Sequence, residues 1–101
     1  MKKQLILSIL VLLPLMANAA VEIDKIWYKL EPKTKQAEVT SMPNNGKYSG
    51  TVSIPSAVLY NGVTYNVTSI GYMAFRVCRN LTSVTIPNSV TYIGRNMAGG
   101  N

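Results

Sequence analysis

Few groups in this chain could carry out chemistry. Cys78 is the only cysteine, and it stands between Arg76 and Arg79. Cationic flanks of that kind can activate a thiol. A free cysteine is more often a small buried apolar side chain, and that role is the one expected here. Histidine is absent, and the four carboxylates, Glu22, Asp24, Glu31 and Glu38, all precede residue 39. General acid–base catalysis and metal ligation both draw on clustered imidazoles, carboxylates and thiols. The chain is therefore expected to have no catalytic residue, no metal and no cofactor, and not to be an enzyme.

What remains is binding chemistry. Residues 51–54 and 83–86 read as two short strands, Thr-Val-Ser-Ile and Ser-Val-Thr-Ile. Alternation turns Val52, Ile54, Val84 and Ile86 to one side and Thr51, Ser53, Ser83 and Thr85 to the other. The four hydroxyls are the candidate recognition face, although Ser and Thr also simply suit a solvated strand. Trp27 could serve as an exposed ligand platform, with packing the stronger expectation for it. Asn66-Val67-Thr68 and Asn80-Leu81-Thr82 fit the N-glycosylation pattern and are read as coincidental.

The element that must position these groups is a repeat. Val67-Thr68-Ser69-Ile70-Gly71 returns as Val90-Thr91-Tyr92-Ile93-Gly94. The upstream stretch Val52 to Val58 matches Val84 to Val90 at Val, Ile, Pro and the last Val. A period in the twenties is the mark of a solenoid, whose coils bury their apolar sides against one another. Proline at 55 and 87 ends each strand and bends the chain. The first copy is longer, and the excess contains Tyr60-Asn61-Gly62-Val63-Thr64-Tyr65. Asn-Gly suits a two-residue type I′ turn, so the insert is expected to be a β-hairpin. Residues 71–75 lack alternation and are expected to form a short helical turn, with Ala74 and Phe75 plugging the coil and Cys78 and Leu81 leading into the next strand. Residues 23–30 and 36–40 flank a turn-like Glu31-Pro32-Lys33-Thr34-Lys35. They read as a hairpin covering the open end of the stack, with one of Trp27 and Tyr28 packed on the first coil.

The first twenty residues carry an export signal. Lys2 and Lys3 precede an apolar run over 5–16, and Ala17-Asn18-Ala19 is a small-x-small site that places the cut between Ala19 and Ala20. The run is well short of the ~20 residues that span a bilayer, so no transmembrane anchor is expected after cleavage. No cysteine stands at the cut to take a lipid. The chain carries ten Lys and Arg against four Asp and Glu, a net charge of +6. The positive charges are dispersed, whereas nucleic-acid binding would want a cluster with stacking aromatics on one face, so none is expected. Lys29, Lys33 and Lys35 suit a solvated hairpin edge. A single cysteine cannot staple an exported fold, which must be held by packing.

The pattern Ile70-Gly71-x-x-Ala74-Phe75-x-x-Cys78-x-x-Leu81-x-x-Val84-x-Ile86-Pro87-x-x-Val90-x-x-Ile93-Gly94 resembles the BspA-like leucine-rich repeat of bacterial surface proteins. The resemblance covers roughly residues 51–94, and the preceding hairpin resembles the lead-in to such arrays. It implies a mainly β leucine-rich-repeat solenoid with short helical turns, preceded by β-hairpins. Ala74, Phe75, Leu81, Val84, Ile86, Val90 and Ile93 become core positions, to which Cys78 is added from the reading of the coil. It also implies export to the cell envelope, cell surface or extracellular space, with a protein or extracellular-matrix ligand in adhesion. The organisation expected is a signal peptide over 1–19, a capping region over 20–50, one interrupted and one complete repeat over 51–94, and a tail over 95–101. At 97 and 98, where the pattern asks for Ala-Phe, the chain has Met97-Ala98. The tail therefore reads as the start of a repeat cut short, an end through which the chain would self-associate. The rival expectation is a truncated piece with no ligand of its own.

Overall fold

The computed structural model describes residues 19–94. Eight strands are present among them: β1 (Val21–Ile23), β2 (Ile26–Glu31), β3 (Gln36–Val39), β4 (Gly50–Ser53), β5 (Ala57–Tyr60), β6 (Val63–Ile70), β7 (Leu81–Thr85) and β8 (Tyr92–Ile93). Tight turns join the antiparallel pairs. Asp24 and Lys25, at φ 50° and 70°, close β1 onto β2. Asn61 and Gly62, at φ 50° and 79°, close β5 onto β6. Two successive positive φ values give the turn whose twist matches that of the flanking strands, and Asn-Gly reaches it at little cost. The expected hairpin insert is therefore present. Its second arm is not separate from the repeat, because β6 runs on without a break to Ile70.

The coils stack through two sheets. In the first, β3, β6 and β8 are parallel neighbours, and Val39, Ile70 and Ile93 occupy one register position. In the second, β4 and β7 are parallel, with Val52 opposite Val84. Backbone bonds continue the ladders past the strand ends. Gly71 N–H donates to the Val39 carbonyl at 2.7 Å, and Gly94 N–H to the Ile70 carbonyl at 2.8 Å. The N-terminal hairpin is thus more than a lid. Its second arm, β3, is the first strand of the solenoid, and β1 and β2 extend that sheet antiparallel beyond it.

The core runs between the sheets. Tyr28, Val39, Val67 and Ile70 are its largest fully buried side chains, and Ala74 and Phe75 are buried with them. Tyr28 points inward and Trp27, its neighbour on β2, is half-buried on the opposite face. Loop 40–49 is pinned by Tyr48, whose ring meets Phe75 at a centroid distance of 5.1 Å and a tilt of 56°. The Tyr48 hydroxyl accepts a bond from Trp27 N–H at 3.0 Å and donates to the Thr40 carbonyl at 2.7 Å, so it ties the loop to β2 and to the end of β3.

Two expectations need correction. The helical turn after Gly71 is not a helix. Ala74 N–H reaches the Gly71 carbonyl at 3.2 Å and Arg76 N–H the Met73 carbonyl at 3.2 Å, but Met73 and Val77 stand at φ 61° and 56°. A helix needs successive residues in the right-handed region, so the segment is a chain of reverse turns. Of the expected core positions, Cys78, Leu81, Val84 and Val90 are half-buried against the core, while Ile86 and Ile93 are 36% and 46% exposed. They belong to the last described coil, which has a described neighbour on its upstream side alone. In the preceding coil, Val52 and Ile54 are buried.

Candidate binding faces

The second sheet assembles the hydroxyls. Val52 is buried and Val84 half-buried on its inner side. The pleat therefore turns Thr51, Ser53, Ser83 and Thr85 outward, and all four are exposed. The parallel register sets Thr51 beside Ser83 and Ser53 beside Thr85, so the four form two ranks across adjacent coils. Neighbouring strands stand about 4.8 Å apart, close enough for one ligand group to meet both members of a rank. A shift of register between Gly50 and Thr51 gives β7 one extra residue, Thr82, and Gly50 accommodates it at φ 69°. The Thr82 hydroxyl lies 3.5 Å from that of Thr51. Thr82 is the member of the face that alternation alone missed, because a bulge breaks the period of two.

This face carries no charged group. Each hydroxyl both donates and accepts, which suits hydrogen bonding to peptide or sugar groups and gives no means of moving a proton at neutral pH. The other candidates do not gather around it. Cys78 is half-buried in the turn before β7, with its Sγ 3.7 Å from the Arg76 carbonyl. Among the described residues, no group of three or more His, Cys, Asp or Glu is placed to hold a metal ion.

The perturbed titrations lie in the core at the N-terminal end. The Tyr28 hydroxyl is buried without a hydrogen-bond partner among the described residues. Burial pushes it up from about 10 to about 12, with Tyr48 and Asp24 adding to the rise. Tyr48 is also raised by burial, against the bond from Trp27 N–H, which lowers it; Cys78 and Glu22 add to the rise. Both groups are buried in the core, whereas the hydroxyl ranks are exposed.

Ala17 and the apolar run before it lie outside the described residues, as does the tail over 95–101. Ala19 and Ala20 are exposed. No helix of the described residues is long and apolar enough to cross a membrane.

Three comparisons bear on this geometry. A family model described as BspA type leucine-rich repeat region (6 copies) matches residues 42–98. No curated protein matches. Among solved structures, the chain is similar to a leucine-rich repeat protein from Bacteroides ovatus ATCC 8483, at 37% identity and a TM-score of 0.62, over 73% of this chain and 19% of that one. It is also similar to a leucine-rich repeat protein from Bacteroides capillosus ATCC 29799, at 31% identity and a TM-score of 0.64, over 76% of this chain and 55% of that one. A leucine-rich cell surface protein from Faecalibacterium prausnitzii A2-165 shares the fold at 21% identity and a TM-score of 0.50, over 78% of this chain and 27% of that one. The chain thus spans about a fifth and about half the length of the first two. The matched residues contain both strands of the second sheet, and the register of β3 carries the coil pattern upstream of them to Val39. With the repeat, the stacked parallel ladders and the family match in agreement, the chain belongs to the BspA-type leucine-rich repeat family.

Proposed function

We propose that the chain is an exported, surface-associated and non-enzymatic protein-binding module, whose ligand is a protein of the extracellular matrix or of a neighbouring cell. One observation carries this reading: the exposed hydroxyls of Thr51, Ser53, Ser83 and Thr85 fall in register across adjacent coils. A flat, uncharged rank of short side chains loses little rotamer freedom on binding, and it can pair with peptide groups. Export follows from the Lys-apolar-Ala-x-Ala order of the leader, and residues 1–19 are assigned as the segment removed. Sequencing the N-terminus of the envelope or secreted product should give Ala20, whereas an intact Met1 there would make the leader an anchor.

Binding is tested by presenting immobilised matrix proteins to the wild-type chain and to the variant Ser53→Lys/Ser83→Lys. Retention of the wild type and its loss in the variant, with the melting temperature unchanged, is the expected result. Equal retention of both would remove the hydroxyl face from the reading. A second reading, a self-associating piece with no independent ligand, is favoured by the exposure of Ile86, Tyr92 and Ile93 on the last described coil.

A further inference from the structure

The repeats carry a charge segregation that the hydroxyl face does not use. All four carboxylates of the chain precede residue 39, and beyond it the charged side chains are Lys47, Arg76, Arg79 and Arg95. Loops 40–49 and 71–80 are equivalents on successive coils, because each leads from a strand of the first sheet to one of the second. They therefore stack along one side of the solenoid. Gly50 N–H donates to the Asn80 carbonyl at 2.8 Å and joins their far ends. The stacking brings together cations that are well separated in sequence. The Lys47 ammonium donates to the Arg76 carbonyl at 3.4 Å, and Arg76 and Arg79 project from the same loop, exposed like Lys47. The carboxylate nearest the start of that loop is Glu38, which lies over Gly71 and has Lys29 as its direct cross-strand neighbour on β2.

Two of these side chains already make contacts within the ridge. The Lys47 ammonium reaches the Arg76 carbonyl at 3.4 Å, and the Arg76 guanidinium the Met73 sulfur at 3.8 Å. Long cationic side chains normally give up much rotamer freedom when they bind. Contacts made beforehand avoid part of that cost. Like charges on adjoining loops repel each other, and an anion spanning them relieves the repulsion. Single-stranded nucleic acid is read on a row of aromatic platforms along a basic track. Loop 71–80 carries one exposed tyrosine, Tyr72, which suits covering a single sugar ring better than stacking successive bases. We propose that the ridge formed by Lys47, Arg76 and Arg79 binds an acidic polysaccharide, separately from the hydroxyl face.

The test uses the full chain on immobilised dextran sulfate, uncharged dextran and a single-stranded oligonucleotide. The chain should be retained on dextran sulfate and not on the uncharged polymer, and retention should fall as salt rises through the range in which the screening length shrinks below ~10 Å. The variant Lys47→Gln/Arg76→Gln/Arg79→Gln should weaken binding by roughly tenfold or more. Lys29→Gln/Lys33→Gln/Lys35→Gln removes the same charge from the hairpin and should change it little. Arg79→Gln alone guards against misfolding of the triple variant and should weaken binding by a smaller factor, with its circular dichroism unchanged. The proposal is overturned by equal losses in the two triple variants, by retention on uncharged dextran, or by an unchanged affinity in Arg79→Gln. Tighter binding to the oligonucleotide than to dextran sulfate would overturn it in favour of nucleic acid.

Discussion

Phe75 and the two tyrosines near it show how single residues hold so small a fold. Phe75 is 3% exposed and meets Tyr48 at 5.1 Å. Truncating a buried phenylalanine removes its transfer free energy and leaves a cavity, for a typical cost of ~3–5 kcal/mol. Phe75→Ala should therefore lower the melting temperature sharply or leave the chain unfolded. An unchanged melting temperature would mean that the turn does not plug the coil. Tyr28 makes the opposite prediction. Its hydroxyl is buried without a described partner, so Tyr28→Phe removes an unpaired polar group and should be neutral or stabilising at pH 7. The titration of Tyr28 is raised to about 12, so the folded state favours the protonated phenol. That contribution is complete below the unfolded value of about 10 and is lost as pH climbs from about 10 towards 12. Tyr48 is shifted in the same direction and adds to the loss. Melting curves across that window should fall more steeply for the wild type than for Tyr28→Phe; parallel curves would show that Tyr28 does not titrate as described. Phe75 was legible in sequence from the Ala-Phe position of the repeat. Tyr48 was not, because its value comes from two backbone partners, 21 and 8 residues away in sequence, and no local pattern announces them.

At the scale of elements, legibility followed the repeat and stopped where the period broke. Thr51, Ser53, Ser83 and Thr85 were readable because β4 and β7 alternate, and Asn61-Gly62 announced the hairpin between β5 and β6. The first coil strand was hidden. Gln36-Ala37-Glu38-Val39 shares little with its register partners, and backbone pairing alone ties Val39 to Ile70. The lack of alternation over 71–75 is also what a helix shows, so the sequence predicts a helical turn there, and nothing in composition marks Met73 or Val77 for positive φ. The cationic ridge depends on a contact between Lys47 and Arg76, 29 residues apart in sequence. Glycine at 71 and 94 was visible as repetition, and the structure separates the two roles. A Cβ at Gly71 would meet first the Glu38 carboxylate, the far end of a flexible side chain, at 2.6 Å, and the Val39 carbonyl at 3.1 Å. A Cβ at Gly94 would meet the Tyr72 backbone nitrogen at 2.7 Å and its Cα at 3.0 Å. Side chains can swing aside, whereas the backbone of a packed coil resists. Gly94→Ala should therefore destabilise by about 1–3 kcal/mol, the usual range for overpacking, and Gly71→Ala by less. Equal denaturation midpoints for the two variants would count against the close approach of successive coils.

The described residues are asymmetric along the coil axis. At one end, β1 and β2 extend the first sheet with an antiparallel pair and bury Tyr28, Ile26 and Leu30. At the other, Tyr92, Ile93 and Ile86 are 63%, 46% and 36% exposed, and β8 has β6 as its one described partner strand. Exposed apolar side chains beside a strand with an open edge form a template for pairing with another chain. Ile26, Tyr28 and Leu30 of β2 are buried and Ile86, Tyr92 and Ile93 of the last described coil are exposed, so a second copy would meet this end with its own equivalent end. Such a contact is isologous and closes at a dimer, whereas head-to-tail stacking would propagate. The chain should therefore sediment as a concentration-dependent monomer–dimer mixture, and Ile93→Lys, which places a charge on the β8 edge, should shift it to monomer with the fold intact. Adding one intact repeat and a polar cap after residue 94 should have the same effect, by covering the exposed side chains with a further coil. A wild-type chain that remains monomeric and folded at tens of micromolar would overturn this account of the downstream face, and open-ended filaments would overturn the pairing of equivalent ends.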